Sequence, residues 1–208
     1  MINKVIESLS MNNPELVKST VEEALQAGLT ANQIINDGLV IGMDAIGKRF
    51  RDGEIFVPEV LVSAMGMQMA LDRLKPLLED GENESKGKVI FATVQGDIHD
   101  IGKNLCCIML EGAGYDVIDL GTDVSKESIV DAIETHQPDV VGLSALLTTT
   151  MTEMPVVEAY LNEKGVRDNI KLIYGGAPIT DQWAKDHGAD GYSEDAAECV
   201  ELIARLVS

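Results

Sequence analysis

From residue 88 onward the chain alternates short apolar runs with helix-length amphipathic ones, and few folds accept that rhythm. Strand-like runs occupy residues 88–93, 115–120, 139–144 and 170–174, with a shorter one at 189–192. Helical patterns fill 101–112, 125–136, 151–164, 180–187 and 194–206, the fourth with Thr180 as N-cap and Gly188 as the residue past its end. Five strand–helix units of this length predict an α/β domain built on a doubly wound, five-stranded parallel sheet. Ligands of such sheets bind in the crevice outside the carboxyl ends of the strands. The loops that follow the strands are therefore where function is to be sought.

The first 78 residues follow a different grammar and predict helices throughout. Asn13-Pro14-Glu15 supplies an N-cap, a proline suited to the first turn and an acid near the helix start, and Gly28 is a natural stop. Thr30 to Gln33 has the spacing of a capping box. Ile34, Ile35, Leu39, Ile41, Met43 and Ile46 then trace an apolar face, with spill at Val40 and Ile41. Arg51-Asp52-Gly53-Glu54 breaks the pattern, and a fourth helix opening at Pro58 carries Leu61, Ala64, Met65, Leu71 and Leu74. Four helices with short connections predict a small bundle over residues 1–78. The polar, glycine-containing stretch 79–87 reads as a linker to a domain over 88–208.

The chain carries 16 basic and 35 acidic residues, a formal charge of −19, which repels nucleic-acid phosphates and anionic membrane surfaces. No nucleic-acid or membrane partner is expected. The first helical turns contain Glu7 and lack the layout of a signal peptide, so a cytoplasmic location is expected. Cys106, Cys107 and Cys199 form no metal-binding spacing, and the first two sit among apolar helix residues as small hydrophobes.

Three segments follow directly on predicted strands: Asp97-Ile98-His99-Asp100-Ile101-Gly102, Ser144 to Thr150, and Gly175-Gly176. Residues two apart in extended chain point the same way, so Asp97 can accept the Nδ1–H of His99. That bond would fix the tautomer and leave Nε2 as a metal ligand. Read alone, each element also has a plainer meaning. His99 can simply satisfy a local hydrogen bond, and Asp100 is either solvated or a helix cap. Gly175-Gly176 is either a turn or a place where a ligand runs against bare backbone. Gly102 suits a close approach of backbone to something flat and bulky.

Taken together, in this order and context, the three segments resemble the cobalamin-binding domain of corrinoid proteins, where Asp-x-His-x-x-Gly supplies a histidine to cobalt. Phe50 to Leu61, with Ser63-Ala64-Met65, resembles the helical cap that precedes this domain in methyl-carrying members of the family. The resemblance thus spans the chain. It points to the small corrinoid proteins of anaerobic methyltransferase systems (methylamine, methanol, glycine betaine and aryl methyl ether), and to the cap and cobalamin domains of methionine synthase. It implies a four-helix cap before a Rossmann-like cobalamin domain, with a corrinoid that cycles through cob(I)alamin and methylcobalamin and lapses to cob(II)alamin. His99 would be the cobalt ligand, with Asp97 and Thr150 completing its hydrogen-bonded triad; the family usually has serine where Thr150 stands. Cofactor contacts would fall on Ile98, Asp100, Ile101 and Gly102, and on Ser144, Leu146 and Thr148 along a slot for the displaced benzimidazole tail. Gly175, Gly176, Tyr192 and Ser193 would line the far end of that slot. Phe56, Leu61 and Met65 are either bundle core or an apolar roof over the methyl group. The implied partners are a substrate-specific methyltransferase, a second methyltransferase to a tetrahydrofolate or thiol coenzyme, and a reductive activator of Co(II). The chain would be a methyl carrier rather than a stand-alone enzyme.

Three rival readings are weaker. An HD-type phosphohydrolase needs further helical histidines, and only His136 and His187 remain. A receiver needs an aspartate at the end of the first strand, where Ala92-Thr93-Val94 stands. A cobalamin-dependent mutase subunit or sensor shares the second domain but lacks the compact cap before it.

Overall fold

The computed structural model describes residues 1–77 and 85–207. The chain divides into two compact units, Met1–Ser85 with Glu111–Gly114, and Lys86–Leu110 with Tyr115–Ser208. Residues 79–84 of the expected linker lie outside the described residues.

The first unit contains α1 (Ile2–Leu9), α2 (Pro14–Gln26), α3 (Ala31–Gln33), a π-helical stretch Ile34–Val40, α4 (Ile41–Arg51) and α5 (Val57–Leu74). The local signals act as their chemistry dictates. Asn13 caps α2 by accepting the Leu16 amide, and Thr30 and Gln33 close a reciprocal capping box. At the end of α4, Gly53 N–H donates to the Phe50 carbonyl and Glu54 N–H to that of Arg49, so Gly53 ends the helix in a Schellman turn. The fourth helix begins at Val57, one residue before the expected Pro58, which still falls in the first turn where its missing N–H costs nothing.

Two features of this unit differ from the sequence pattern. The helix from 31 to 51 runs through a π-helical stretch that shifts the register of its apolar face. As a result Val40, a spill position in the sequence pattern, is buried, while Ile41 stays off the face and is 48% exposed. Of the apolar residues on the last helix, Leu71 and Leu74 join the core with Val17, Val21 and Leu39, but Leu61 and Met65 do not.

The second unit is a parallel sheet of β1 (Lys88–Thr93), β2 (Asp116–Asp119), β3 (Val140–Ser144), β4 (Lys171–Gly175) and β5 (Gly191–Ser193), in the order β2-β1-β3-β4-β5. The connecting helices are α6 (Ile101–Gly112), α7 (Lys126–His136), α8 (Glu153–Lys164) and α9 (Asp181–Asp186), and α10 (Ala196–Leu206) closes the chain. Alternation along the strands splits the sheet into two faces. Ile90, Ala92, Leu143 and Tyr174 pack with α7 and α8 in one core. The opposite face carries the register row Thr93, Ser144, Gly175 and Ser193, one residue from each of four neighbouring strands at the carboxyl end.

Gly66 on α5 marks a tight crossing in the bundle: a Cβ there would stand 2.7 Å from Val17 Cγ2 of α2. Helix propensity alone would make Gly66→Ala stabilising by about 1 kcal/mol. We expect the reverse, a loss of about 1–3 kcal/mol from overpacking, read as a lower urea midpoint. A raised midpoint would show that Val17 gives way freely.

Candidate functional site at the carboxyl ends of the sheet

The strand order reverses direction between β1 and β3, the switch point where open α/β sheets form their crevice. The loops after these two strands therefore face each other. Val94 N–H donates to the Ser144 carbonyl at 3.1 Å, carrying the pairing one residue past β1. The chain then turns through Gly96 (φ +82°), and Asp97 N–H closes the turn on the Val94 carbonyl at 3.1 Å.

This turn delivers the Asp97 side chain to the interior, where none of its surface is exposed. Its two oxygens are fully used. Oδ1 accepts from the His99 backbone N–H at 3.0 Å and from His99 Nδ1 at 2.8 Å. Oδ2 accepts from the Leu146 N–H at 2.8 Å and from the Thr150 hydroxyl at 2.6 Å. Burial by itself pushes this carboxyl up. The hydrogen bonds from Thr150, the two amides and the His99 ring outweigh burial and hold it well below the usual carboxylate range. Asp97 is thus an ion at neutral pH, an acceptor only. The network accordingly assigns the proton of the neutral imidazole to Nδ1. Nε2 engages no hydrogen-bond partner among the described residues, and the His99 side chain is 45% exposed.

The structure brings together Asp97, His99 and Thr150 in direct contact, with Leu146 bound through its amide. Ser144, Gly175 and Ser193 fall in one row beside them. Gly176 has a steric reason to be glycine: at φ +127°, a Cβ would lie 1.9 Å from the Ala145 carbonyl oxygen. Gly102 is exposed on the first turn of α6, and a Cβ there would meet nothing within 4 Å. Ile98, Ile101 and Leu146 point substantial apolar surface outward. Thr148 is exposed in the same loop as Leu146. Asp100 accepts the Asn104 N–H on its carbonyl and the Asn104 side-chain amide on its carboxylate, tying down the start of α6. Tyr192 is set apart from Ser193: it pairs with Tyr174 and packs against the core on the opposite face. Phe56, Leu61 and Met65 belong to the helical unit and are 67%, 39% and 59% exposed, so they are not its core.

Three groups escaped the sequence reading. The Leu146 amide could not be found there, because any residue type carries one. Lys103 is buried on α6 and bonds both oxygens of Asp119 at the end of β2, at 2.6 and 2.5 Å. Its signal was its place on the apolar stripe with Cys107 and Leu110. Asp123 binds the Gly96 turn from the β2 side.

One free imidazole nitrogen is too small a donor set for a bare ion and suits a metal whose other ligands come with it. A flat, largely apolar carrier fits the exposed Ile98, Ile101 and Leu146 beside that nitrogen.

Comparison with known proteins agrees. Two family profiles, each described as a B12 binding domain, match residues 1–75 and 87–201. A corrinoid protein of Desulfitobacterium hafniense is 38% identical over 210 residues, spanning 100% of this chain and 97% of its own. Trimethylamine corrinoid protein 2 of Methanosarcina mazei is 40% identical over 98% of this chain and 94% of its own. Among solved structures, a cobalamin-binding protein of D. hafniense superposes with a TM-score of 0.82 at 33% identity, covering 100% of this chain and 99% of its own. The methanol:cobalamin methyltransferase complex MtaBC of Methanosarcina barkeri contains a chain that superposes with a TM-score of 0.90 at 29% identity, covering 99% of this chain and 79% of that one. With its helical N-terminal unit, its five-stranded parallel sheet and both B12-binding matches, the chain belongs to the family of corrinoid proteins, whose cofactor is cobalamin or a related corrinoid.

Proposed function

We propose that this protein carries a methyl group on the cobalt of a bound corrinoid, with His99 as the protein's ligand to the metal. The observation that carries this reading is the fixed imidazole: Nδ1 is held 2.8 Å from a buried carboxylate while Nε2 has no hydrogen-bond partner among the described residues. Bound at this crevice, the corrinoid supplies a cobalt that accepts a methyl group when reduced and gives it up to a second acceptor. The chain's own residues bind, orient and tune. Asp97 keeps the Nδ1 proton in place and strengthens Nε2 as a donor. The Thr150 hydroxyl and Leu146 amide hold Asp97 from the other side, so the ring cannot turn without breaking a buried network.

The small, half-buried residues Ser144 and Gly175, in one row with buried Ser193, leave room along the backbone for a long tail such as a nucleotide loop. Thr148 adds a hydroxyl in the loop above Ser144. Ile98, Ile101 and Leu146 offer the apolar skin a macrocycle needs. Phe56, Leu61 and Met65 leave comparable apolar surface exposed on the helical unit. Relatives named as methylamine corrinoid proteins, and one solved with a methanol methyltransferase, support a substrate-specific methyltransferase as the donor-side partner. A second methyltransferase, to a tetrahydrofolate or thiol coenzyme, and a reductive activator of Co(II) complete the proposed cycle. Among the described residues no helix is long and apolar enough to cross a membrane.

Reconstitution with cobalamin tests the ligand. His99→Ala is expected to change the Co(III) absorption spectrum and weaken binding, with the fold retained by circular dichroism. An unchanged spectrum and affinity would remove His99 from the metal.

Asp97→Asn tests the support. The amide must turn an NH₂ toward either the His99 or the Leu146 N–H, leaving buried donors unpaired, a loss of about 1–3 kcal/mol in urea unfolding at pH 7. The sign with pH follows from the lowered pKa. A carboxyl held down in the folded state adds stability above the unfolded aspartate range near pH 4, and that stability fades as pH falls through and below it. The wild type should therefore lose stability more steeply than Asp97→Asn below about pH 4. Parallel curves would contradict the ionised, fully bonded carboxylate.

Thr150→Ser should preserve these properties, whereas Thr150→Val removes the hydroxyl at constant shape and should cost about 1–3 kcal/mol. Equal stability of the two variants would mean the hydroxyl contributes nothing to Asp97.

A further inference from the structure

The Asp97 network explains how the β3 side of the crevice holds the histidine loop, but the loop has a second neighbour. The β2–α7 connection, residues 120–125, runs along its other flank and is bonded to it repeatedly. Thr93 N–H donates to the Gly121 carbonyl at 3.0 Å, and Val124 N–H returns a bond to the Thr93 carbonyl at 3.0 Å. Asp123 then closes on the histidine turn with two bonds of opposite sense. Its carboxylate Oδ1 accepts the Gly96 N–H at 2.7 Å, and its own N–H donates to the Asp97 carbonyl at 2.9 Å.

Both bonds require an unusual backbone. Asp123 sits at φ +54°, a left-handed conformation that non-glycine residues avoid and that Asp and Asn tolerate best. A short side chain with an acceptor oxygen in that conformation is what reaches back to Gly96. The base of this connection is anchored as well. The buried ammonium of Lys103 bonds the Asp119 carboxylate, which in turn accepts the Gly121 N–H at 2.8 Å.

We propose that Asp123 is a positioning residue for the cobalt ligand: from the β2 side it clamps the backbone on either side of Gly96 and Asp97, at the Gly96 N–H and the Asp97 carbonyl, and so sets where the Asp97–His99 pair stands. The proposal rests on His99 being the ligand. Asp97 would then be gripped at its carboxylate by Thr150 and Leu146 and at its main chain by Asp123, leaving the imidazole little freedom in depth or tilt. A surface aspartate serving only its own loop would also bond locally. It would not change the His99 amide or the metal's axial ligand when removed.

The test uses the full chain in two states. Without cofactor, amide hydrogen exchange is followed at Gly96 and His99. With cobalamin bound, the nitrogen splitting in the electron paramagnetic resonance of the Co(II) form reports the axial ligand. Asp123→Asn keeps an acceptor and tolerates the backbone, so it should match the wild type in both. Asp123→Gly frees the backbone but removes the acceptor, and exchange at Gly96 and His99 should rise about tenfold, the effect of one lost hydrogen bond. The nitrogen splitting should broaden or diminish. Asp123→Ala should do the same with added backbone strain, and the Gly variant stands in for it if it fails to fold. Wild-type exchange at His99 in Asp123→Gly would overturn the positioning role, whatever the exchange at Gly96, which loses its direct acceptor. His99→Ala is the control that separates the two claims. Unchanged nitrogen splitting there would overturn the ligand reading and, with it, the positioning role, while the exchange data would still report whether the clamp exists.

Discussion

A carboxylate with no exposed surface has to be matched by donors or it does not stay ionised, and in this chain that requirement falls on Asp97. Two of its donors come from His99, only two residues away; the others come from Leu146 and Thr150, some fifty positions later. The ion therefore fixes how two loops meet. Only a sheet in which β1 and β3 are neighbours can satisfy it, and the β2-β1-β3 order makes them so. Sheet topology and site chemistry are thus one constraint. The parallel register sets the β1 and β3 ends level at Thr93 and Ser144, and the buried charge locks the loops beyond them.

Neutral donors matter here as much as their number. Had Asp97 been paired with a buried cation, the pair would have cancelled within itself and left the imidazole a bystander. Amides and a hydroxyl instead stabilise the charge without neutralising it, so its remaining field acts on the Nδ1–H of His99. The charged pair in this region, Lys103 with Asp119, is placed lower, between α6 and the end of β2. There it braces the connection that carries Asp123 rather than the ring itself.

How much of this the sequence discloses depends on the range of each interaction. The strands were legible because a parallel sheet covered on both faces needs continuous apolar runs, as in Lys88–Thr93 and Val140–Ser144. The Asp97–His99 contact was legible because it spans two residues, and Thr150 only through resemblance to a family. The Leu146 amide and the Asp123 clamp were not, since both depend on which strands become neighbours and on a backbone conformation no residue type dictates. Tyr192 shows the same limit in another form. One position decides which face of the sheet a side chain takes, and the register of β5 puts Ser193 in the row with Gly175 and Tyr192 against the core on the other face. In the helical unit, the π-helical stretch Ile34–Val40 turns Val40 inward, a shift that a count at 3.6 residues per turn does not anticipate, while Ile41 stays off the apolar face.

The exposed apolar residues around the histidine follow from the same buried ion. Once Asp97 turns inward, its neighbour Ile98 is driven outward, and it stands 74% exposed. Leu146 gives its amide to Asp97 and is left with a side chain 43% exposed. Ile101, in the turn that follows His99, is 77% exposed. Single exposed aliphatics are ordinary on a protein surface. Three of them flank one oriented imidazole, and two, Ile98 and Leu146, are exposed because a neighbour or backbone amide serves the interior, so a polar centre largely creates this hydrophobic rim. Such a rim destabilises the free protein at about 25 cal/mol for each Å² left in water, and burial under a flat apolar ligand offsets that cost. The polar centre fixes where the imidazole stands, and the rim beside it makes a large macrocycle, rather than a hydrated ion, the species that gains most by settling there.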